Sequence, residues 1–336
     1  VPNEGSAGAP GPCPACGASG NFVFVEERRD PIGGVLYRLH RCAACALVFS
    51  WPRDPVGPDW YEKAAPLRVS ERRLPPARDW RFRRFLDAGL PAGRVLDVGC
   101  GDGGFLELAA SRGWKPVGVD YDERVVARAR AKGLDASARD YESFLRARAE
   151  GEFDAATLFD VLEHAPDPRA LLALIRPVLK RGGSLAVTFP NDSRPALFAR
   201  EEYDYPPHHF TRWNALALRG FLEREGFSVT ELTAIGPTAL WFSETLYYGL
   251  IAPPALALAR RLLFGAGAKA TVTELYAAGA GAPAALSDGG RRRRLADAFK
   301  RACRVVTYPA GALLAAVWRL KPDGGEYLYA LARRES

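Results

Sequence analysis

Three observations predict a doubly wound α/β domain with a mostly parallel sheet. Val95-Leu96-Asp97-Val98 is a short aliphatic run of the kind buried in parallel sheets, and it ends in the turn Gly99-Cys100-Gly101-Asp102-Gly103-Gly104. Phe105-Leu106-Glu107-Leu108-Ala109-Ala110 then continues at helical spacing. A strand that feeds a helix through glycines lets a ligand approach bare backbone and aims N–H groups at it. Lastly, strand and helix patterns alternate from Arg94 to Phe189, which implies right-handed crossovers and ligands at the carboxyl ends of the strands.

The candidate strands are 94–99, 115–119, 134–138, 153–159 and 184–189, and the candidate helices are 103–112, 122–132, 141–149 and 167–180. Gly226–Leu232 reads as a sixth strand and Glu326–Ala332 as a seventh. Asp97 to Gly103, Asp120-Tyr121, Asp140-Tyr141 and Leu158-Phe159-Asp160 should therefore converge on one crevice. Asp120 lies 21 residues after Gly99, where such folds place a carboxylate for ribose hydroxyls. Gly99, Gly101 and Gly104 also satisfy the dinucleotide pattern G-x-G-x-x-G, a weak signal alone. Asp97 discriminates: a carboxylate there would repel a pyrophosphate but suits the ammonium of an amino-acid ligand.

The chain has 336 residues, 48% hydrophobic and 25% charged, enough for one large globular domain and a small one. Net charge is +7, with 39 Arg against 7 Lys, a bias that reads as genome composition more than phosphate binding. Between Pro66 and Arg94, eight Arg face Glu71, Asp79 and Asp87, a local net of +5. A solvated helix face is the favoured reading over an anionic-partner site. The Gly-, Pro- and Ala-rich start lacks the basic-then-apolar pattern of a signal peptide and reads as loose chain.

Cys13-Pro14-Ala15-Cys16-Gly17 and Cys42-Ala43-Ala44-Cys45 are separated by 25 residues that hold two strand-like segments. Cys13, Cys16, Cys42 and Cys45 can each take one corner of a tetrahedral Zn²⁺, a zinc ribbon over 1–52. A redox C-x-x-C would need one pair only, on a helix beside a parallel sheet. Two pairs indicate a reducing compartment, with the cytoplasm as the expected location. A closed four-thiolate site is structural, so the ribbon either recognises something or braces its neighbour. Residues 53–76 are proline-punctuated and read as a linker, with Trp60-Tyr61 packing onto the larger domain. Trp80, Phe82, Phe85 and Leu86 mark a basic helix that opens the domain 77–336.

The stretch from Asp97 resembles the cofactor loop of class I S-adenosylmethionine-dependent methyltransferases, D-x-G-x-G-x-G, as Asp97, Gly99, Gly101 and Gly103. Glu152 to His164 followed by Asp167-Pro168 resembles the fourth strand and helix start of the small-molecule members. The likeness runs from about 68 to 233 and returns at the last strand. It implies a Rossmann-like seven-stranded sheet and S-adenosylmethionine held by Asp97, Gly99, Cys100, Gly101, Gly103, Asp120 and Tyr121. It further implies Asp140 near the adenine amine with Tyr141 on its backbone edge, and Phe159 in the same crevice. Strands six and seven would pair antiparallel. The N/D-P-P-Y/F of amino-directed nucleic-acid methyltransferases is absent, since Phe159-Asp160-Val161-Leu162 stands in its place.

Glu201 to Asn214 is dense in titratable groups, and Asn214 fits a helix N-cap with Trp213 and Leu218 as a staple. His164, His208 and His209, three of the four histidines, fall in loops over one crevice. His208 or His209 is expected to act as general base, with Tyr205 nearby. The competing expectation, by likeness to quinone-pathway relatives, is a divalent cation on His164, Asp160 and Glu163.

Residues 236–322 separate strands six and seven. Leu232 to Ala259 carries only Glu244 as a charge and Val305 to Trp318 none, yet Pro253-Pro254 and Pro309 interrupt both. A helical cap is expected, either an extra layer on the sheet edge, a lid over a greasy substrate or a surface resting on a membrane, aided by Arg291 to Arg294. The function expected is methyl transfer from S-adenosylmethionine to an oxygen, or a carbon, of a small molecule: a sugar, a glycan precursor, a natural product or a lipid-linked acceptor. An RNA-directed enzyme and a non-catalytic module that keeps the fold are the alternatives, and the oligomeric state is open.

Overall fold

The computed structural model describes residues 10–57, 60, 75–194, 204–236, 238–247, 289–318, 320 and 324–335. The central sheet comprises β4 (Arg94–Val98), β5 (Lys115–Asp120), β6 (Ala136–Ala138), β7 (Phe153–Phe159), β8 (Leu179–Pro190), β10 (Phe227–Ile235) and β11 (Tyr327–Arg334). Its order is β10-β11-β8-β7-β4-β5-β6. The four pairs from β8 to β6 are parallel, and β11 runs antiparallel between β8 and β10. This is the Rossmann-like methyltransferase topology expected.

Helices α1 (Trp80–Leu86), α2 (Gly104–Ser111), α3 (Glu123–Ala131), α4 (Tyr141–Arg146), α5 (Pro168–Val178) and α6 (Ala215–Arg224) complete this domain. Several start as side-chain chemistry dictates. Asp167 accepts from the Arg169 and Ala170 amides at 3.0 and 3.1 Å, with Pro168 as first helical residue, and Asn214 accepts from the Ala217 amide at 2.8 Å. β8 starts five residues earlier than expected, because Leu179 already pairs with Phe153 before the register shift at Gly182-Gly183. On α1, Arg81 contacts Asp160 and Asp79, and Arg84 contacts Glu231 and Thr233. Among the described arginines of 66–94, the exposed ones are Arg83 on α1, Arg78 just before it and Arg94 at the start of β4.

A second sheet, of order β1-β2-β3-β9, joins the two ends of the sequence plan. β1 (Phe22–Arg29), β2 (Leu36–Cys42) and β3 (Val48–Trp51) form the N-terminal meander. β9 (Thr211–Arg212) belongs to the loop before α6, and it pairs with Val48 and Phe49. Cys13, Cys42, Leu47 and Phe49 are buried in the same hydrophobic cluster as Leu171, Trp213 and Leu218. The N-terminal unit therefore braces the larger domain. Trp60 donates to Asp30 at 3.0 Å, while Tyr61 lies outside the described residues.

Ile235 pairs with Tyr327, and Tyr327 with Pro190, so the insertion 236–322 leaves and re-enters at the carboxyl end of the parallel strands. Its described parts are α7 (Ala239–Leu246) and α8 (Gly289–Trp318). α8 continues through Pro309, which was expected to interrupt it. The two helices cross closely: a Cβ on Gly311 would lie 2.5 Å from the Ala239 carbonyl oxygen, and the Ser243 and Thr307 hydroxyls meet at 2.7 Å. Tyr248 and Pro253-Pro254 lie outside the described residues.

Candidate active site

The turn after β4 is a closed backbone knot. Gly99 has φ +80°, and a Cβ there would lie 2.7 Å from a Val161 methyl. The amides of Gly99 and Cys100 both donate to the Val119 carbonyl, at 2.8 and 3.1 Å, and Gly103 donates to Cys100 at 3.0 Å. Gly101 donates to Asp120 at 2.9 Å. These four N–H groups are already satisfied, which corrects the expectation that they aim at a ligand. A pyrophosphate would need them, whereas a ligand without phosphates does not. The Cys100 thiol is buried and its pKa raised by desolvation, so this residue offers backbone only.

Asp97 lies beneath this turn, 3% exposed. Thr157 donates to it at 2.6 Å, a partner that sequence reasoning missed because a threonine inside a buried strand carries no motif. Burial, opposed by the Thr157 hydrogen bond, pushes the Asp97 carboxyl up to about 7. A buried carboxyl so poised is completed by an incoming cation, which fits the ammonium of S-adenosylmethionine. Asp120 spans the turn, accepting from Gly101 and, at 3.0 Å, from the Asp122 amide. Tyr121 and Tyr141 bring their rings to 4.0 Å, and Tyr141 stands over Gly99. Asp140 is the N-cap of α4, accepting from Ser143 at 2.7 Å, which holds its pKa down. Phe159 is buried against Phe82 and Phe105, at 5.5 and 5.3 Å between ring centres, so it supports this end from the core.

The three histidines do meet. Their ring centres lie 4.5, 4.7 and 4.8 Å apart. His164 ends a 3₁₀ turn, Leu162–His164, that follows β7, while His208 and His209 come from the loop before β9. The Phe210 amide donates to the Glu163 carbonyl at 2.9 Å and the Ser50 amide to the Phe210 carbonyl at 2.9 Å, so the N-terminal sheet fastens the cluster. His209 is 7% exposed, and burial holds its imidazole well below the ordinary range, with the neighbouring His164, His208, Arg194 and Arg212 acting in the same sense. Tyr205 takes a different part from the one expected. The His208 and His209 amides both donate to its carbonyl at 3.1 Å, but its hydroxyl accepts from Arg28 at 2.9 Å and faces β1. Asp160 sits at φ +58°, accepts from Thr188 at 2.8 Å and contacts Arg81. Non-glycine residues in that conformation are uncommon and concentrate at functional sites.

The four ribbon cysteines also converge. Cys13 and Cys45 sulfurs are 3.6 Å apart, as are those of Cys16 and Cys42. Tetrahedral Zn–S bonds of about 2.3 Å require S···S edges of about 3.8 Å, while a disulfide requires about 2.05 Å. The set fits a zinc ion. A chain of ion pairs links this unit to the loop that carries the histidines: Arg212 with Glu26 at 3.0 Å and Asp192 at 3.2 Å, and Arg41 with Asp192 at 3.2 Å.

Residues 70–232 match a family model described as a methyltransferase domain. That match covers 163 of the 336 residues and agrees with the resemblance to class I S-adenosylmethionine-dependent methyltransferases that Asp97 and the three glycines carry. A ubiquinone biosynthesis O-methyltransferase of Xanthomonas campestris pv. campestris is 35% identical over 145 residues, 42% of this chain and 59% of that protein. Another, from Hahella chejuensis, is 40% identical over 124 residues, 34% of this chain and 52% of that protein. The chain thus spans between half and two thirds of the length of these relatives. A solved S-adenosylmethionine-dependent methyltransferase from Archaeoglobus fulgidus overlaps 75% of this chain and 91% of its own, at 19% identity and TM-score 0.45.

Proposed function

We propose that this chain transfers the methyl group of S-adenosylmethionine to an oxygen of a small, partly apolar acceptor. The observation that carries this is the pairing of two unlike sites at one end of the sheet. One is a buried acid poised for an ammonium; the other is a cluster of three imidazoles. When bound, S-adenosylmethionine supplies an electrophilic methyl on a sulfonium. Asp97 would hold its ammonium, Asp120 its ribose, and Tyr121, Asp140 and Tyr141 the adenine side. The methyl is already reactive, so this chain must mainly align it, exclude water and dispose of the acceptor proton. The histidine cluster suits that last task, since an imidazole that burial keeps neutral, as at His209, offers a lone pair to the proton. Tyr205 positions His208 and His209 through its carbonyl.

A structural Zn²⁺ on Cys13, Cys16, Cys42 and Cys45 belongs to the same proposal, as does a peripheral membrane contact through 236–322. Val305, Val306, Leu313 and Val317 of α8 are exposed, and no helix among the described residues is long and apolar enough to cross a membrane. The RNA-directed alternative loses support from α1, because Arg81 and Arg84 are engaged by acids of the domain itself. The test is formation of the demethylated cofactor with a panel of phenols, catechols and sugar alcohols, some lipid-tailed. Turnover with an oxygen acceptor supports the reading, and turnover with RNA alone replaces it.

A further inference from the structure

We infer that His164, His208 and His209 form a binding site for a divalent first-row transition-metal ion of the Zn²⁺ or Co²⁺ type. Each offers one ring nitrogen, and these atoms all lie within 4.8 Å of one another. Three imidazoles around a metal at about 2.1 Å need N···N separations of about 3.4 Å, so the cluster closes by up to about 1.4 Å on binding. The scaffold already holds one ligand in ligating form. His164 Nδ1 lies 2.7 Å from the His208 carbonyl oxygen, which can only accept, so Nδ1 carries the proton and Nε2 keeps its lone pair. The two segments that carry the histidines are joined by the hydrogen bond from Phe210 to Glu163, beside both His209 and His164.

Glu163, read in the sequence as a partner of His164 in a cation site, is 2% exposed, but its carboxylate is not among the ligand atoms that converge here. The ligand set differs from the one read in the sequence, because the Asp160 carboxylate is engaged by Arg81 and Thr188. Three imidazoles select a borderline metal; Mg²⁺ and Ca²⁺ prefer oxygen.

The inference deepens the reading of an oxygen acceptor and rests on it for its chemical role. A hydroxyl coordinated to such an ion loses its proton to water near neutral pH. The resulting oxygen anion then forms the O–CH₃ bond as the S–CH₃ bond breaks, with the electron pair left on sulfur. The histidines act as ligands in that step, and the proton leaves at coordination.

The full chain, its ribbon loaded with zinc, is titrated with Co²⁺ by calorimetry and visible absorption. We expect about one further equivalent, with a ligand-field spectrum free of thiolate charge transfer. His164→Ala, His208→Ala and His209→Ala should each weaken it at least tenfold, while ribbon zinc and binding of the demethylated cofactor persist. If the buried His209 variant fails to fold, His164→Gln and His208→Gln carry the test. Absence of the second equivalent, its retention at unchanged affinity in these variants, or its displacement by Mg²⁺ overturns the site. Methyl transfer is scored separately. A second equivalent without turnover of any oxygen acceptor keeps the site and retires the function, whereas full turnover without it keeps the function and removes the metal.

Discussion

The two ends of the crevice are built on opposite principles. The cofactor end is local: Asp97 to Asp120 is one strand, one turn, one helix and the next strand, and the hydrogen bonds that close the turn, from Gly99, Cys100, Gly101 and Gly103, all stay within that stretch. The acceptor end is assembled from 10–57, 160–164 and 204–214, segments that meet only in the folded chain. Its contacts are ion pairs and a shared sheet, such as Arg212 with Glu26 and β3 with β9. A turn closed by its own backbone needs little from elsewhere in the chain, whereas the histidine cluster depends on the N-terminal unit fastened to it.

Loss of the ribbon metal should give the largest effect and break the two ends apart. Structural zinc supplies on the order of 10 kcal/mol in small domains. Cys42→Ser should unfold β1–β3, deprotect the amides of 204–214 to hydrogen exchange and abolish methyl transfer. Binding of the demethylated cofactor should weaken by no more than about threefold, because its residues hang on the central sheet. Unchanged protection of 204–214 would show that the acceptor end stands without the ribbon.

Asp97→Asn tests the opposite end. The amide keeps the size and can still accept from Thr157, but it offers the ammonium no charge. Removing a charge-assisted hydrogen bond in a buried site costs about 2–3 kcal/mol, so calorimetry should show cofactor affinity about 100-fold weaker. Hydrogen exchange at 204–214 and the zinc content should not move. An affinity within threefold of the wild type would remove Asp97 from the site.

These two variants also mark what could be read in advance. Asp97, the glycines, Asp120 and the strand order were legible because they form one contiguous motif under strict turn geometry. The cysteine pairs were legible by spacing. The sequence spacing placed His164, His208 and His209 in loops over one crevice, but not in contact, since their meeting depends on Phe210 bonding to Glu163. Pairing of β9 with β3 was invisible, because a two-residue strand has no periodicity. The hydroxyl contact of Tyr205 was invisible for a related reason: its partner Arg28 lies 177 residues away. The satisfied amides of the glycine turn were missed because glycine spacing reports conformation, not where each N–H points.

The pH dependence of cofactor binding sharpens the comparison further, at about tenfold per unit. The free Asp97 carboxyl sits at about 7, and the ammonium binds its ionised form. Below pH 7 a proton must be expelled on binding, so the affinity should fall about tenfold for each unit of acidification. Above about pH 8 the cofactor's own α-amine loses its charge and affinity declines again. The maximum should lie between these limits, and Asp97→Asn should lose the acidic limb while keeping the basic one. A flat acidic limb in the wild type would mean that the carboxyl is ionised without its ligand.

The smallest effect should come from α8, which belongs to neither end yet leaves the sheet beside both. Val305, Val306, Leu313 and Val317 are 76%, 74%, 67% and 56% exposed, an apolar surface on a helix that opens with Arg291 to Arg294. Flotation with liposomes tests whether this surface meets lipid. Partial burial of one valine at a lipid interface is worth about 1 kcal/mol, and each basic residue near anionic headgroups about as much before screening. Val305→Asp with Val306→Asp should therefore lower flotation with anionic vesicles about tenfold. Raised salt should lower it at least as much, by screening Arg291 to Arg294, and cofactor affinity should not change. A chain that stays with the pellet at low salt, with or without these substitutions, would assign α8 to covering the sheet edge alone.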